Sequence, residues 1–373
     1  MCLGASLFCI FVFMDELFYD AVDLLKAMIT VKSVSREEKA LADMLEEAMK
    51  GFGLEVKRIG NNVWSLSPDF DSSRPTVLLN SHIDTVKPTD RWTRNPLVAE
   101  VDEATGALYG LGSNDAGASV VSLLAAYRYL VAKSQACNFV FLASCEEEVS
   151  GRGGMEMALP QLPHIDVAVV GEPTSMQPAV AEKGLMVLDG IVKGVAGHAA
   201  RNEGVNAIYK AVEVIERLRN VRFERESPTL GPIKISVTQI NAGTQHNVVP
   251  DSCRIVVDVR TTEVMSNAAT LKVLQDVAGD LCTFEPRSLR LNPSSIDEKH
   301  PLVQRLKMLG KKPFGSPTLS DQALMSFPSV KIGPGDSSRS HTADEYIFLE
   351  EIREAIHTYI SLLDGCRLSC DKK

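Results

Sequence analysis

The chain has 373 residues, of which 45% are hydrophobic and 23% are charged, and its formal net charge is -9. This length exceeds one ordinary hydrophobic core, so we expect two domains. The acidic balance argues against a nucleic-acid-binding protein, because such proteins normally carry a basic face. The eight cysteines are scattered without a CxxC pair, which favours free thiols in a cytoplasmic protein over a disulfide framework.

The first thirteen residues, MCLGASLFCIFVF, are apolar. No Lys or Arg precedes Lys26, so the stretch lacks the basic beginning of a signal peptide. Asp15 and Glu16 interrupt it before it reaches the roughly 20 apolar residues of a membrane span. We interpret it as an over-extended start, with the protein beginning near Met14; an export signal or anchor is the alternative. No later segment is apolar enough to cross a membrane.

Helical and strand patterns alternate in the first half of the chain. Three apolar runs have the length and composition of strands that are buried on both faces of a sheet. Ser35, followed by acidic residues, is predicted to cap the second helix. This alternation is typical of an α/β sheet flanked by helices. The predicted elements are helices over residues 15–31, 37–52 and 116–132 and strands over residues 76–80, 138–143 and 166–170.

The centre of the chain has a different order of elements, βαββαβ, which is that of a ferredoxin-like sandwich. The predicted elements there are strands over residues 185–193, 233–240, 253–259 and 283–289 and helices over residues 206–219 and 268–282. The α/β pattern then returns, with a strand over 329–332 and a closing helix over 349–363. We therefore predict a larger domain in two parts, residues 14–182 and 291–366, separated by an inserted domain over residues 183–290.

Polar side chains follow the three apolar runs of the first half. His82 follows the first run, the glutamates 146–148 follow the second, and Glu172 follows the third. Ligands of open α/β sheets bind beyond the carboxyl ends of the strands, so these side chains could share one crevice. Asp115 lies in a glycine-rich turn before a helix, and His341 follows a second glycine-rich loop.

Two imidazoles and several carboxylates form a ligand set that suits zinc. A pair of neighbouring zinc ions needs a bridging carboxylate, which Asp115 could supply. One remaining carboxylate is then free to act as a base. The simpler interpretations are that His82 is a structural histidine at a strand end and that Asp115 caps the helix that follows it.

Five motifs occur in chain order: SHIDTV at 81–86, the turn Gly110–Asp115, the glutamate pair, GEPT at 171–174, and His341. Together they resemble the co-catalytic zinc aminoacylase and carboxypeptidase family, and the acetylornithine deacetylase and succinyl-diaminopimelate desuccinylase subgroups resemble the chain most. The resemblance runs from about residue 20 to residue 365. It implies a zinc-dependent exopeptidase-like mixed sheet flanked by helices, with an inserted ferredoxin-like α+β domain that serves as lid and dimerisation domain.

The resemblance implies two bound Zn²⁺ ions, for which Co²⁺ can substitute. His82 and Glu172 would hold one ion, and Glu148 and His341 would hold the other. Asp115 would bridge the two ions.

The resemblance also assigns the acid–base residue. Glu147 would act as general base and then as general acid, and Asp84 would orient the imidazole of His82. Three consecutive glutamates leave an alternative register. A slip of one residue would make Glu146 the base and Glu147 the ligand.

The inserted domain carries a second set of residues that resemble family positions. His198 would reach the active site of a partner subunit in a homodimer and stabilise the oxyanion. Asn247 and Arg260 would bind the carboxylate of the substrate, to which a planar guanidinium can donate two hydrogen bonds. His246, next to Asn247, could also touch the substrate.

The function that this implies is a metal-dependent amidohydrolase that removes the N2-acyl group of an N-acyl amino acid. N-acetylornithine is the favoured substrate, as in arginine biosynthesis; N-succinylornithine, succinyl-diaminopimelate and dipeptides are the alternatives. A metal-binding protein without catalysis would be expected to lack Glu147, and a nicotinamide- or phosphate-binding protein would carry GxGxxG, which Gly110–Asp115 lacks. We expect a small-molecule substrate and neither a nucleic-acid nor a membrane partner.

Overall fold

The computed structural model describes the backbone of residues 2–368 and the side chains of residues 13–368. The interpretation of residues 1–13 therefore falls almost entirely outside the described side chains. Among the described residues, no helix combines the length and the apolar character that crossing a membrane requires.

The helices and strands alternate along the chain. The α-helices are α1 (Cys2–Ile29), α2 (Lys39–Gly51), α3 (Ala118–Val131), α4 (Met155–Ala158), α5 (Ala207–Asn220), α6 (Asn267–Ala278), α7 (Pro301–Met308) and α8 (Leu349–Leu363). The strands are β1 (Val56–Ile59), β2 (Asn62–Leu66), β3 (Thr76–His82), β4 (Glu100–Asp102), β5 (Ala107–Tyr109), β6 (Asn138–Ser144), β7 (Val167–Val170), β8 (Ala179–Glu182), β9 (Gly184–Lys193), β10 (Gly197–His198), β11 (Lys234–Ala242), β12 (Val248–Val249), β13 (Ser252–Thr261), β14 (Cys282–Pro286), β15 (Ser294–Ser295), β16 (Phe314–Ser316), β17 (Ser329–Lys331) and β18 (Tyr346–Phe348).

The residues divide into two compact units. Unit 1 comprises the residues up to Val180, Ile296–Phe314, and the chain from Met325 onward. Unit 2 comprises Ala181–Ser295 and Gly315–Leu324. The domain boundaries predicted from the sequence, 14–182, 183–290 and 291–366, stay predictions.

Unit 1 contains a mixed sheet in which strands follow the order β1-β2-β6-β3-β7-β17. The pairs of β3 with β6, β3 with β7 and β7 with β17 are parallel, whereas β2 is antiparallel to its neighbours. Every residue of β3, β6 and β7 is buried, as expected of strands covered on both faces. Helices α1, α3 and α8 pack against one another, and α3 packs on β3 and β6. The predicted mixed sheet flanked by helices is confirmed.

Unit 2 contains an antiparallel sheet with the order β11-β13-β9-β14. In β9 and β13 buried residues alternate with more exposed ones, so each strand turns one face toward a core. The buried faces of α5 and α6 complete that core. The chain order βαββαβ, with this strand order, is the ferredoxin-like arrangement that the sequence predicts.

Several predicted element boundaries differ from the structure. Helix α2 begins at Lys39 after Glu38, which makes no capping hydrogen bond, so the predicted cap at Ser35 is wrong. The hydroxyl of Ser35 instead donates to Oδ2 of Asp84 over 2.7 Å. The helix predicted over 268–282 ends at Ala278 because Gly279 has a φ of 58°, which a helix cannot accommodate.

Phe141 belongs to the core of unit 1, and its substitution tests how much that core contributes to the free energy of unfolding. Its side chain is fully buried on β6, and its ring centroid lies 6.0 Å from that of Tyr127. Phe141→Ala removes these contacts and leaves a cavity, so we expect a loss of about 3–5 kcal/mol in the free energy of unfolding. Urea-induced unfolding measures this loss. Met308→Ala, at a side chain 79% exposed, is the control and should change it by less than about 0.5 kcal/mol. Equal effects of the two substitutions would contradict the assignment.

Candidate metal centre

The parallel strands of unit 1 bring polar residues to one edge of the sheet. His82 is the last residue of β3 and pairs in register with Ser144, the last residue of β6. Val170, the last residue of β7, pairs with Asn80 of β3. Because the three strands end at the same level, the residues that follow β6 and β7 lie beside His82.

The first group of potential metal ligands is His82, Asp115 and Glu172. One ligand atom from each lies within 4.8 Å of the others. Nε2 of His82 is 3.2 Å from Oδ1 of Asp115 and 3.8 Å from Oε1 of Glu172. Nδ1 of His82 is 2.9 Å from the backbone oxygen of Asp84. A carbonyl oxygen can only accept, so Nδ1 carries a proton and donates to it, which leaves Nε2 facing the carboxylates.

The second group of potential ligands is Asp115, Glu148 and His341, again with one ligand atom from each within 4.8 Å of the others. Nε2 of His341 is 2.9 Å from Oε2 of Glu148 and 3.6 Å from Oδ2 of Asp115. Asp115 therefore belongs to both groups and turns Oδ1 toward His82 and Oδ2 toward His341. This is the geometry that a carboxylate bridging two cations requires.

The carboxylates of this centre carry closely spaced negative charge. Burial raises the pKa of Glu172 to about 8. Burial alone would lower the pKa of His82, but hydrogen bonds to Asp115 and Asp84 raise it well above its ordinary value. The hydrogen bond with Glu148 raises the pKa of His341 to about 9. The neighbouring carboxylates therefore favour positive charge at this centre.

Asp84 is fully buried and connects the first two strand ends. Its Oδ1 accepts the backbone N–H of Glu147 over 3.0 Å, and its Oδ2 accepts that of Glu148 over 3.1 Å. Oδ1 of Asp84 also lies 3.5 Å from Nδ1 of His82. The backbone oxygen of Asp84 lies closer to the same nitrogen, at 2.9 Å. The side chain therefore fixes the backbone of the glutamate pair, a contact that the sequence did not predict.

The three consecutive glutamates have different surroundings. Among the described residues, only Glu148 of the three belongs to a ligand group. Oε2 of Glu146 accepts the backbone N–H of Gly153 over 3.2 Å, and Glu146 has a φ of 57°, which turns it into the following loop. The negative charge of Glu147 contributes to the raised pKa of His82, so Glu147 lies near the first ligand group.

Two residues that the sequence analysis missed hold the loops around Asp115. Glu345 is 2% exposed, and its carboxylate accepts backbone N–H groups from Gly112, Asn114 and Asp115. Burial raises the pKa of Glu345, and the three N–H groups oppose this rise because they stabilise the charged form. The side chain of Asn114 donates to the backbone oxygen of Asp336 over 3.1 Å and accepts the N–H of Asp336 over 3.1 Å. An acidic residue four positions after His341 was the one sequence signal that could have drawn attention to Glu345.

The remaining predicted site residues lie in unit 2. His198 and Asn247 are exposed and neighbouring: β10 pairs with β12, and the backbone N–H of Ala199 donates to the backbone oxygen of Asn247 over 3.0 Å. His246 is exposed in the same loop. Arg260 is on β13, where its guanidinium forms two hydrogen bonds, of 2.9 and 3.2 Å, with the carboxylate of Asp258.

Residues 78–365, well over half of the chain, match the profile of the family described as Peptidase family M20/M25/M40. The chain belongs to this family. It is therefore an amide-bond hydrolase of the M20 type, and its resemblance to the co-catalytic zinc aminoacylase and carboxypeptidase family is confirmed at the level of the family.

Several solved peptidase structures share the fold. Aminopeptidase PepT from Bacillus cereus has a TM-score of 0.75 at 18% identity, covering 93% of this chain and 98% of its own. The YxeP protein of Bacillus subtilis, described as a dinuclear metal binding peptidase of the M20 family, has a TM-score of 0.70 at 16% identity, covering 94% and 98%. Human carnosine dipeptidase 1 has a TM-score of 0.61 at 14% identity, covering 95% and 98%. At these identities the similarity is one of fold.

Proposed function

We propose that the chain is a two-metal amidohydrolase that removes the acyl group from an N-acyl amino acid. The observation that carries this proposal is the position of Asp115, whose two carboxylate oxygens face two separate groups of ligands. Each group offers one imidazole and two carboxylates counting the shared one, which is a donor set that suits zinc. We therefore propose two Zn²⁺ ions, replaceable by Co²⁺, held by His82, Glu172, Glu148 and His341 and bridged by Asp115. Such ions, when bound, polarise a carbonyl oxygen and lower the pKa of water.

Glu147 is the proposed general base and acid. It would accept a proton from the attacking water and donate it to the departing amine, as one group acting in both directions. The carboxylate of Asp84 accepts the backbone N–H of Glu147, and the backbone oxygen of Asp84 lies 2.9 Å from Nδ1 of His82, so base and ligand are held by the same residue. The side chain of Glu147 is only partly buried, which leaves it accessible to a substrate.

The residues of unit 2 are proposed to bind the substrate. His198 would donate a hydrogen bond to the developing oxyanion, a role for which its exposed position on β10 suits it. Asn247 and Arg260 would bind the substrate carboxylate. Arg260 already binds one carboxylate, that of Asp258, through two hydrogen bonds, which is the geometry that this role needs.

A homodimer through unit 2 is the proposed assembly. Strand β11 is at the edge of its sheet, so one side of its backbone has no neighbouring strand among the described residues. Large apolar side chains are exposed on β11 and α5: Ile240 is 50%, Val212 55% and Tyr209 75% exposed. An open edge strand beside exposed apolar side chains is typical of an interface. Among the described residues, five buried cysteines form no disulfide, which supports the proposed cytoplasmic location: Cys137, Cys145, Cys253, Cys282 and Cys366.

N-acetylornithine is the proposed substrate, because the motifs resemble the acetylornithine deacetylase subgroup most. Peptide hydrolysis is the second candidate, since the fold neighbours include an aminopeptidase and a dipeptidase. The test uses zinc-loaded protein with N-acetylornithine, N-succinylornithine, succinyl-diaminopimelate and a dipeptide, and measures the amine released. Cleavage of N-acetylornithine alone is expected, with none after chelation. Cleavage of the dipeptide alone would favour the peptidase, and no cleavage of any substrate would count against the proposed function.

A mixed dimer tests the role of His198. A His198→Ala chain and a Glu147→Gln chain are each expected to be nearly inactive. If His198 acts in the partner subunit, the mixed dimer contains one complete site and recovers activity. Absence of recovery in a dimer whose formation is verified by light scattering would contradict a contribution from the partner.

A further inference from the structure

Glu345 joins the two segments that carry Asp115 and His341. It lies four residues after His341, directly before β18, and is 2% exposed. Its Oε1 accepts the backbone N–H groups of Asn114 and Asp115, each over 2.9 Å. Its Oε2 accepts the backbone N–H of Gly112 over 3.2 Å. One buried carboxylate therefore receives three N–H groups from the turn that ends in Asp115.

The backbone of Glu345 adds a fourth link between the same segments. Its carbonyl oxygen accepts the N–H of Gly110 over 3.0 Å. The next residue, Tyr346, pairs with Tyr109 in the antiparallel pair of β18 and β5. The turn Gly110–Asp115 is thus bonded along its length to the segment that follows His341.

A buried carboxylate is costly unless hydrogen bonds compensate for its lost hydration, and here the compensating donors are the amides of one turn. Three N–H groups can converge on one carboxylate only if the turn keeps its conformation. That conformation sets the direction in which the side chain of Asp115 leaves the backbone. A carboxylate that contacted distant parts of the fold would have no such effect on a single ligand.

We propose that Glu345 is a positioning residue that fixes Asp115 midway between the two ligand groups. This inference rests on the proposed function, because Asp115 needs this position only if it bridges two metal ions. Partners that orient metal ligands are typically worth about 10- to 100-fold in metal affinity or activity. Since Asp115 belongs to both groups, the loss of Glu345 must weaken the binding of both ions together.

The test compares Glu345→Gln with the wild-type protein. Glutamine keeps the size of the side chain but replaces one acceptor oxygen with an NH₂ group, which cannot accept the N–H of Gly112 or of Asn114 and Asp115. Titration of the metal-free protein with Zn²⁺, followed by calorimetry, is expected to show affinities about 10- to 100-fold weaker for both ions. At saturating Zn²⁺, kcat should fall while KM stays near the wild-type value.

Glu182→Gln is the matched control. Glu182 is also fully buried, and its carboxylate also accepts a backbone N–H, that of Ser320 over 2.9 Å, but it lies in unit 2. Its replacement is expected to lower Tm without changing the affinity for Zn²⁺. A fall in Tm alone therefore distinguishes a merely structural role from positioning.

Different results separate the two proposals. If the wild-type protein binds no Zn²⁺, the proposed function fails, whatever Glu345 does. If the wild type binds two ions and Glu345→Gln binds them with the same affinities and kcat, or loses only one of them, the positioning role is wrong. Glu345→Asp, which keeps the charge but is one methylene shorter, covers the case in which Glu345→Gln does not fold. The affinities of Glu345→Asp for both Zn²⁺ ions should fall together. If both affinities equalled those of the wild-type protein, the inference would be overturned.

Discussion

Glu147→Gln is expected to lower kcat by roughly 10²–10⁴-fold while the protein keeps its metal content. Glutamine has the same shape as glutamate but cannot accept the proton of the attacking water. The carboxylate of Asp84 accepts the backbone N–H of Glu147, so the substitution should leave the loop in place. Steady-state kinetics with saturating Zn²⁺, together with metal analysis of the purified protein, measure both parts of the prediction.

The neighbouring glutamates supply matched controls for this experiment. Glu148→Gln removes a member of the second ligand group and should reduce the bound metal as well as kcat. Glu146→Gln alters a side chain that contacts the loop at Gly153, so its main effect should be on stability. If Glu146→Gln abolished turnover with metal retained and Glu147→Gln lost metal, the register would be shifted by one residue.

The sheet of unit 1 could be predicted because each of its central strands has a recognisable local sequence pattern. Continuous apolar runs mark β3, β6 and β7, and each run stops at a polar residue. Parallel strands that end together bring those polar residues to one edge, which is why the sequence alone groups His82, Glu148 and Glu172. The strands β9 and β13 of unit 2 could be predicted in the same way, and the structure shows alternating burial along both.

The short strands could not be predicted in the same way. β4, β5 and β18 have three residues each, and β18 reaches β5 from more than 200 residues away. A strand of three residues seldom has enough hydrophobic periodicity to be recognised, although β17 was predicted. Its existence depends on the long-range pairing itself, and that pairing is what brings Glu345 to the turn of Asp115.

The potential metal ligands could be predicted from the sequence, whereas the contacts that position them could not. Ligand types and their spacing are visible in the sequence, since zinc chemistry restricts them to few side chains. The contacts of Asp84 and Glu345 with backbone N–H groups are not, because any residue can supply an N–H. Ser35 shows the consequence: its sequence context favoured a helix cap, but its hydroxyl donates to Asp84.

Asp115→Asn is expected to have the largest effect of any single substitution in this centre. The amide keeps the size of the side chain, but its nitrogen cannot ligate a cation, so one of the two ligand groups loses its shared oxygen and the other faces a neutral ligand. Lewis-acid stabilisation by a bound metal contributes several kcal/mol, so we expect kcat to fall by about 10³-fold or more. Kinetics and metal analysis, measured as for Glu147→Gln, test this expectation.

Substitutions confined to one ligand group provide the comparison that makes the Asp115 result specific. Glu172→Gln and Glu148→Gln should each weaken the binding of mainly one ion, whereas Asp115→Asn should weaken the binding of both. Thermal unfolding gives a readout that is independent of activity, because a ligand that binds the folded state raises Tm. Zn²⁺ should raise Tm of the wild type most, that of the single-group variants less, and that of Asp115→Asn least. If Asp115→Asn responded to Zn²⁺ as the single-group variants do, the two groups would be independent sites, and a shared carboxylate between two cations would no longer describe this centre.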